Sequence, residues 1–474
     1  MNVTLTYLNG RVEAWDDIHN LAVRQQTSAL HRLYNHFLGP VTSIRWHRPE
    51  WSDLSMYGCS CAHTSVRDLI PDLTVRAGPD EGLVIPGGGK GVNIQRSLLG
   101  ALGELAERLL GVLHFGAVLE KLPIASYSEL VHQGRTALGP DRLPLFSAEQ
   151  YAQPEFPYVP FTADTPLRWI EGTELLSGES VLVPAQLVLM YYMRHPQELL
   201  IGYPTSGGLA FHTDREQAIL HAIYEVIERD AINVSWYSRI TPAKVDVDIK
   251  EFLAREHNLS QSRLSTPDIP EIGVWLNTLD LPVPIFTVIA IDRSRSQRAF
   301  LGGGGSGSKR EIALAQALFE LGQGRIALRG YLPTGMKNIR PETNISELTD
   351  FFDSAIYYGF SQNLPKLDWY IFGTRSVRWE DVPSLHYEDA SKEYAVTLEL
   401  VRAAALNPIV LDFGSACWAG TVLIKVLIPE LTQASVPSHP YLGHPRFYRA
   451  RKLSFGEDEL LSSEDLNTDP MPFP

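Results

Sequence analysis

Along the chain, three runs of glycine each give way to a stretch where apolar residues recur at three- and four-residue spacing, the period of a helix with one buried face. The first, PGGGKGVNIQRSLLGALGELAERLLG, places Leu98, Leu99, Ala101, Leu102, Leu105, Ala106, Leu109 and Leu110 in that pattern. The second, PTSGGLAFHTDREQAILHAIYEVIERDA, does so with Ala222, Ile223, Val226 and Ile227, and the third is LGGGGSGSKREIALAQALFELGQGR. In each, the glycines predict a turn or flexible connection, because glycine alone enters positive φ at no steric cost. Between them SVLVPAQLVLMYY and PIFTVIAID, rich in β-branched and aromatic residues, predict strands. Strands interleave with helices, so the expected class is α/β or α+β.

Polar residues break the helical pattern at one recurring interval: Glu104 and Glu107, Glu225 and Glu228, Glu320 and Gln323. Residues three apart on a helix share a face, so each glutamate pair aims two carboxylates at one point. An isolated pair of this kind is most often a solvated surface. Here apolar residues surround both pairs, which predicts mostly buried helices. Ionised carboxylates sharing a low-dielectric site repel one another and need a cation, and Mg2+, a hard ion that prefers oxygen ligands and phosphates, is the natural candidate. Lys90, Arg229 and Arg325 then suit phosphate, although Arg229 equally suits an ion pair with Glu225 or Asp230. The glycines match no standard phosphate loop. Val84 stands where a P-loop needs its first glycine, and Gly91 stands where Ser or Thr should follow the lysine. Gly302, Gly304 and Gly307 satisfy GxGxxG, but no acidic residue follows at the distance a dinucleotide fold requires.

Composition narrows the classes. A chain of 474 residues, 44% hydrophobic and 20% charged, is ordinary globular material large enough for one elaborated domain or two. Its net charge of -14 argues against nucleic acid as the main partner. Three cysteines are too few for a disulfide framework, which fits a reducing cytoplasm, and Cys59 with Cys61 falls short of a four-ligand zinc site. The start, MNVTLTYLNGRVEAWDD, lacks the pattern of a signal peptide, and the apolar stretches at 97–119 and 180–193 are interrupted by polar residues or proline. A soluble, cytoplasmic protein is expected. The histidines accompany neither a nucleophile motif nor metal-ligand spacing. From about Leu453 the chain is acidic and finishes TDPMPFP, which by composition reads as a loose tail of polyproline II character.

GKG followed by GALGELAER, TSGGLAF with EQAILHAIYEVIERDA, and QALFELGQGR closely resemble the signatures of the YcaO superfamily. WIEGTELLSGESVLVPAQLV resembles the stretch preceding the second signature in azoline-forming members, and Pro470, Pro472 and Pro474 resemble the PxPxP ending of the D-protein type. The resemblance implies a YcaO-type fold of mixed and antiparallel sheets with helices packed around an ATP cleft. It divides the chain into an N-terminal elaboration (1–80), a catalytic domain (81–452) and a tail (453–474). It also implies ATP and Mg2+ as cofactors, with Glu104, Glu107, Glu225, Glu228 and Glu320 as metal or phosphate-site acids. Lys90, Ser97, Ser206, Arg229, Gln316, Gln323 and Arg325 are then candidates for the nucleotide, and Arg229 and the carboxylate of Pro474 for catalysis. Three positions depart from the family pattern: Gly100 replaces a common serine, Gly207 a frequent asparagine, and Gln316 a frequent arginine. Ser97, one turn before Gly100, offers a substitute hydroxyl.

The implied reaction is conversion of Cys, Ser or Thr of a ribosomally made precursor peptide into azoline rings. Its implied partners are that peptide, an E1-like or ThiF-like protein that binds the peptide leader, a flavin-dependent azoline dehydrogenase, and a second copy of the chain in a homodimer. Thioamide or macroamidine formation, and a non-catalytic peptide-binding scaffold, stand as alternatives.

Overall fold

The structure is a computed structural model that describes residues 41–47, 56–63, 87–119, 121–190, 192–257, 271–331, 338–349, 351–414 and 420–473. Within them the first glycine run is a strand, not a turn. Strands β1 (Val41–His47), β2 (Tyr57–His63) and β3 (Gly87–Gly91) form an antiparallel sheet in that order. Two strands from the first 80 residues are thus built into the same sheet as the first glycine run. Helix α1 (Ile94–Leu119) lies directly on β3, and a Cβ at Gly89 would overlap the carbonyl oxygen of Ser97. Glycine is needed here for close approach of two backbones, and its freedom at positive φ is not used.

A second sheet combines β4 (Ile124–Ala125), β5 (Leu167–Glu174), β6 (Ser180–Pro184) and β7 (Leu209–His212) with two strands from late in the chain. These are β13 (Ile409–Asp412) and β14 (Val422–Leu427), and the order is β4-β5-β13-β14-β7, with β6 paired to β5. The strand expected over SVLVPAQLVLMYY ends at Pro184, where Ala185–Val188 forms a single helical turn. The third sheet holds β8 (Ala243–Asp246), β9 (Glu271–Leu276), β10 (Ile285–Ile291), β11 (Phe300–Ser306) and β12 (Ser376–Arg378) in the order β11-β10-β9-β8-β12. It is antiparallel apart from the β8–β12 pair.

Strand β10 shows why IFTVIAI is apolar throughout. Ile285 and Ile289 enter the core shared with helix α2 (Arg215–Tyr237), while Phe286, Val288 and Ala290 enter the core shared with helix α3 (Arg310–Tyr331). A strand covered on both faces has no solvent side to encode. Helix α2 begins at Asp214, whose carboxylate accepts from the Gln217 N–H at 2.9 Å, and it buries residues around most of its circumference.

The third glycine run, in β11, is likewise a strand. A Cβ at Gly303 would lie 2.6 Å from both the carbonyl oxygen of Ala317 and the nitrogen of Leu321, so α3 packs backbone to backbone on that face. Only the second run makes the expected turn: Gly208 has φ of 78° and leads into β7.

The expectation of a loose C-terminal tail is wrong. The tail lacks long regular elements, yet Met471 and Phe473 are buried. Trp236 Nε1 donates to the carbonyl of Asp469 (2.9 Å) and Tyr358 donates to that of Pro470 (2.7 Å). Lys366 pairs with the Asp469 carboxylate at 2.6 Å. Proline-rich composition describes a chain that makes few bonds to itself; here helices α2 and α4 (Phe351–Gly359) supply donors instead. Among the described residues no helix is long and apolar enough to cross a membrane.

Candidate functional site

The acids of three helices meet between the sheets. Glu104 and Glu107 come from α1, Glu225 and Glu228 from α2, and Glu320 from α3. Glu107 feels the charges of Glu225, Glu104, Arg108 and Lys425, while Glu228 feels those of Arg229, Glu320 and Glu225. Lys90 on β3 reaches Glu320 at 3.8 Å. Lys90, Glu104, Glu107, Ser206, Glu225, Arg229, Glu320, Gln323 and Arg325 are all half-buried, as residues lining a cleft should be.

Local packing sets each position. The Gly88 N–H donates to Glu104 (3.0 Å), whose other oxygen pairs with Arg108 at 2.7 Å. A side chain at Gly88 would collide with the amide of Gln323 and come within 3.5 Å of Glu104, so the missing Cβ makes room for both. The Gly208 N–H donates to Glu225 (3.0 Å). Gly304 leaves space for Glu228, whose carboxylate oxygen would lie 2.8 Å from a Cβ there.

Burial pushes three of these carboxyls above their ordinary range. Glu107 rises well above it, with Glu225 adding repulsion. Glu225 rises despite Arg229 and Lys425 nearby, and Glu228 is pushed up to about 7, with Arg229 opposing the burial and Glu320 reinforcing it. The same acids, led by Glu228, hold the Arg229 guanidinium firmly charged against its own burial. The built-in cations therefore leave the acids undercompensated, which is the condition a divalent ion relieves.

Other expected residues sit differently. Ser97 is fully buried, and its hydroxyl donates toward the Tyr57 carbonyl (2.9 Å) and the Asn93 carbonyl (3.0 Å), tying α1 to β2. Gln316 is exposed on α3, one turn before Glu320. Pro474 lies outside the described residues, but Phe473 packs on Gly302, two residues along β11 from Gly304 and on the same face. Cys59 and Cys61 are buried thiols on one face of β2, and hydrogen bonding between them, with burial, pushes Cys59 up. They are removed from the cleft chemistry as inert core residues.

Two participants were missed from the sequence. Arg108 pairs with Glu104, a contact legible as the i,i+4 spacing of GELAER. Lys425 is buried in β14 and lies near Glu225 and Glu107; its signal was a lone lysine inside VLIKVLI.

Residues 88–432 match the family model described as YcaO cyclodehydratase, ATP- and Mg2+-binding. The chain belongs to the YcaO family. ATP and Mg2+ are the cofactors of that family. Among the described residues no three His, Cys, Asp or Glu side chains form a ready metal cage. The clustered, undercompensated carboxylates instead fit Mg2+, which takes one or two protein carboxylates and completes its shell with phosphate and water.

An uncharacterized protein of Methanothermobacter thermautotrophicus is 26% identical over 291 residues, covering 60% of this chain and 70% of its own length. A heterocyclase solved in complex with substrate and cofactor superposes with a TM-score of 0.71 at 20% identity, over 99% of this chain and 59% of that one. YcaO from Methanopyrus kandleri, bound with AMPPCP and Mg2+, gives 0.56 at 18% identity, covering 83% and 86%. The E. coli microcin synthetase McbBCD complex gives 0.58 at 13%, covering 93% and 99%. The chain accordingly spans 59% of the first heterocyclase, less than two thirds of its length, and these structures share its mixed α/β fold.

Proposed function

We propose that this YcaO protein uses ATP and Mg2+ to convert Cys, Ser or Thr residues of a ribosomally made precursor peptide into azolines. The observation that carries the reading is the convergence of acids from α1, α2 and α3 with Lys90 at buried and half-buried positions, beside the strand that also receives the last described residues. The solved heterocyclases of the same fold, one of them in complex with substrate and cofactor, support a ring-forming reaction.

In this reaction the substrate S–H or O–H adds to the carbonyl carbon of the preceding peptide bond. The proton passes to a base and the carbonyl becomes an oxyanion. That oxygen takes the γ-phosphoryl group and ADP leaves; departure of phosphate, with loss of the amide proton, forms the C=N bond of the ring. Bound Mg2+ would supply charge neutralisation at the phosphates. Glu104, Glu107, Glu225, Glu228 and Glu320 are assigned as the acids of the metal and phosphate site, from which its carboxylate ligands would come. Lys90, Arg229 and Arg325 are assigned to the phosphates, and Ser206 and Gln323 to orienting the nucleotide.

An E1-like or ThiF-like protein would deliver the peptide, and a flavin-dependent dehydrogenase would oxidise the rings. The decisive assay combines the chain, ATP, Mg2+, a Cys/Ser/Thr-rich precursor and its delivery partner. ATP-dependent loss of one water per ring supports the reading. Exchange of oxygen for sulfur would assign thioamide formation, and peptide binding without ATP turnover would leave only a scaffold.

A further inference from the structure

Lys425 occupies an unusual place for a lysine. It lies in the middle of β14 between Ile424 and Val426 and is 3% exposed. Strand alternation puts it on the face of Leu423 and Leu427, which pack in the cluster containing Leu102, Leu105 and Ala106 of α1. Its Nζ donates to the carbonyl oxygens of Thr205 (2.7 Å) and Gly207 (2.6 Å). The next N–H along, that of Gly208, is bound by Glu225, and the Gly208 carbonyl accepts from Val426 at 2.8 Å. The loop carrying Ser206 is thereby fastened by a cation from below and a carboxylate from the helix. Burial pushes the Lys425 ammonium down to about 8, and the charges that oppose this are Glu225 first and Glu107 second, one from each of two helices.

A buried ammonium is costly unless paired, and backbone carbonyls satisfy its donors without cancelling its charge. The charge has a use in this position, between acids that repel one another. We infer that Lys425 is a resident counter-ion of the cleft: it keeps Glu107 and Glu225 side by side and fixes the Thr205–Gly208 loop before any divalent ion arrives. It is a positioning residue. The inference rests on the ATP and Mg2+ reading of the cleft, and it adds a cation that the glycine and glutamate signatures do not contain.

The test turns on sign. Removing a cation from an acidic cluster strengthens its hold on a free divalent ion, whereas loosening the loop weakens its hold on nucleotide. For Lys425→Met, Mn2+ alone, followed by electron paramagnetic resonance, should bind on the order of tenfold tighter or with one additional ion, the scale of one nearby buried charge. Mg·ATP, followed by calorimetry, should bind on the order of tenfold more weakly, since a first ligand or fixed group that preorders a site is lost. The double variant Glu107→Gln/Lys425→Met, which loses an assigned ligand together with the cation, should lose the gain in Mn2+ affinity shown by Lys425→Met.

Weakening of both ligands together, or Mn2+ binding unchanged in Lys425→Met, would overturn the inference by reducing Lys425 to a packing element. Should the single variant fail to fold, thermal unfolding decides: the double variant must be more stable than the single, and equal or lower stability overturns the inference. Failure of the wild-type protein to bind Mg·ATP would sink the functional reading instead, while the Mn2+ and stability comparisons still decide the role of Lys425.

Discussion

Glu228→Gln is expected to stabilise the nucleotide-free protein at neutral and alkaline pH while removing its activity. Glu228 is 6% exposed and sits over Gly304, where burial pushes its carboxyl up to about 7 from an ordinary value of 4.5. Below 4.5 the side chain is protonated whether the chain is folded or not, and it adds no pH dependence. Between 4.5 and about 7 only the unfolded chain gives up the proton, so stability falls as pH rises through that window. Above it the whole cost is present, on the order of 3 kcal/mol. Glutamine has nearly the same shape and no charge to desolvate. Urea unfolding of both proteins at intervals from pH 5 to pH 8 should therefore show a small difference at the acid end. It should grow to about 3 kcal/mol in favour of the variant at the alkaline end. Saturating Mg·ATP should erase or reverse the order, since the ligand stabilises only the protein that binds it. Parallel profiles across the range, or a variant weaker than wild type at pH 8, would refute the reasoning.

Three further outcomes follow from the packing. Gly305→Ala would place a methyl group on the Ala317 nitrogen and the Ala313 carbonyl, backbone atoms of α3 that cannot rotate away. A loss of about 1–3 kcal/mol in urea is expected, with weaker Mg·ATP binding because Glu320 rides on that helix. Phe473→Ala removes a ring that is 2% exposed and rests on Gly302, so about 3–5 kcal/mol of tail anchoring should go. Carboxypeptidase should then digest past Pro470, and the proposed ring formation should stop while nucleotide binding survives. Lys366→Met breaks the ion pair with Asp469, whose partners are 35% and 22% exposed. The expected cost is at most about 1 kcal/mol, because Trp236 and Tyr358 still hold the tail through its carbonyls.

The three helices were legible from the sequence because their apolar period and ExxE spacing are local properties. The strands in the glycine runs were not. Glycine is a turn former by its own φ preferences, and nothing in GGGKG or GGGGS announces that a helix backbone will lie against it; that requirement comes from α1 and α3, which fold later in the chain. The same limit explains the tail. TDPMPFP looks unstructured because the groups that bind it, Trp236, Tyr358 and Lys366, lie more than a hundred residues upstream. Lys425 escaped for a related reason: one lysine in an apolar strand reads as an edge position until both neighbouring strands, β7 and β13, are seen to cover it. Ser97 shows the opposite failing, where a plausible hydroxyl at helical spacing proved to be spoken for by carbonyls.

Four consecutive glycines, Gly302–Gly305, give β11 no rotamers at all over the stretch that separates α3 from Glu228 and Phe473. The gap between those elements is therefore set by backbone contact, with α3 lying directly on one face of β11 and Glu228 and Phe473 on the other. A protein that brings repelling acids together from separate helices gains from a partition that is as thin as a polypeptide can be.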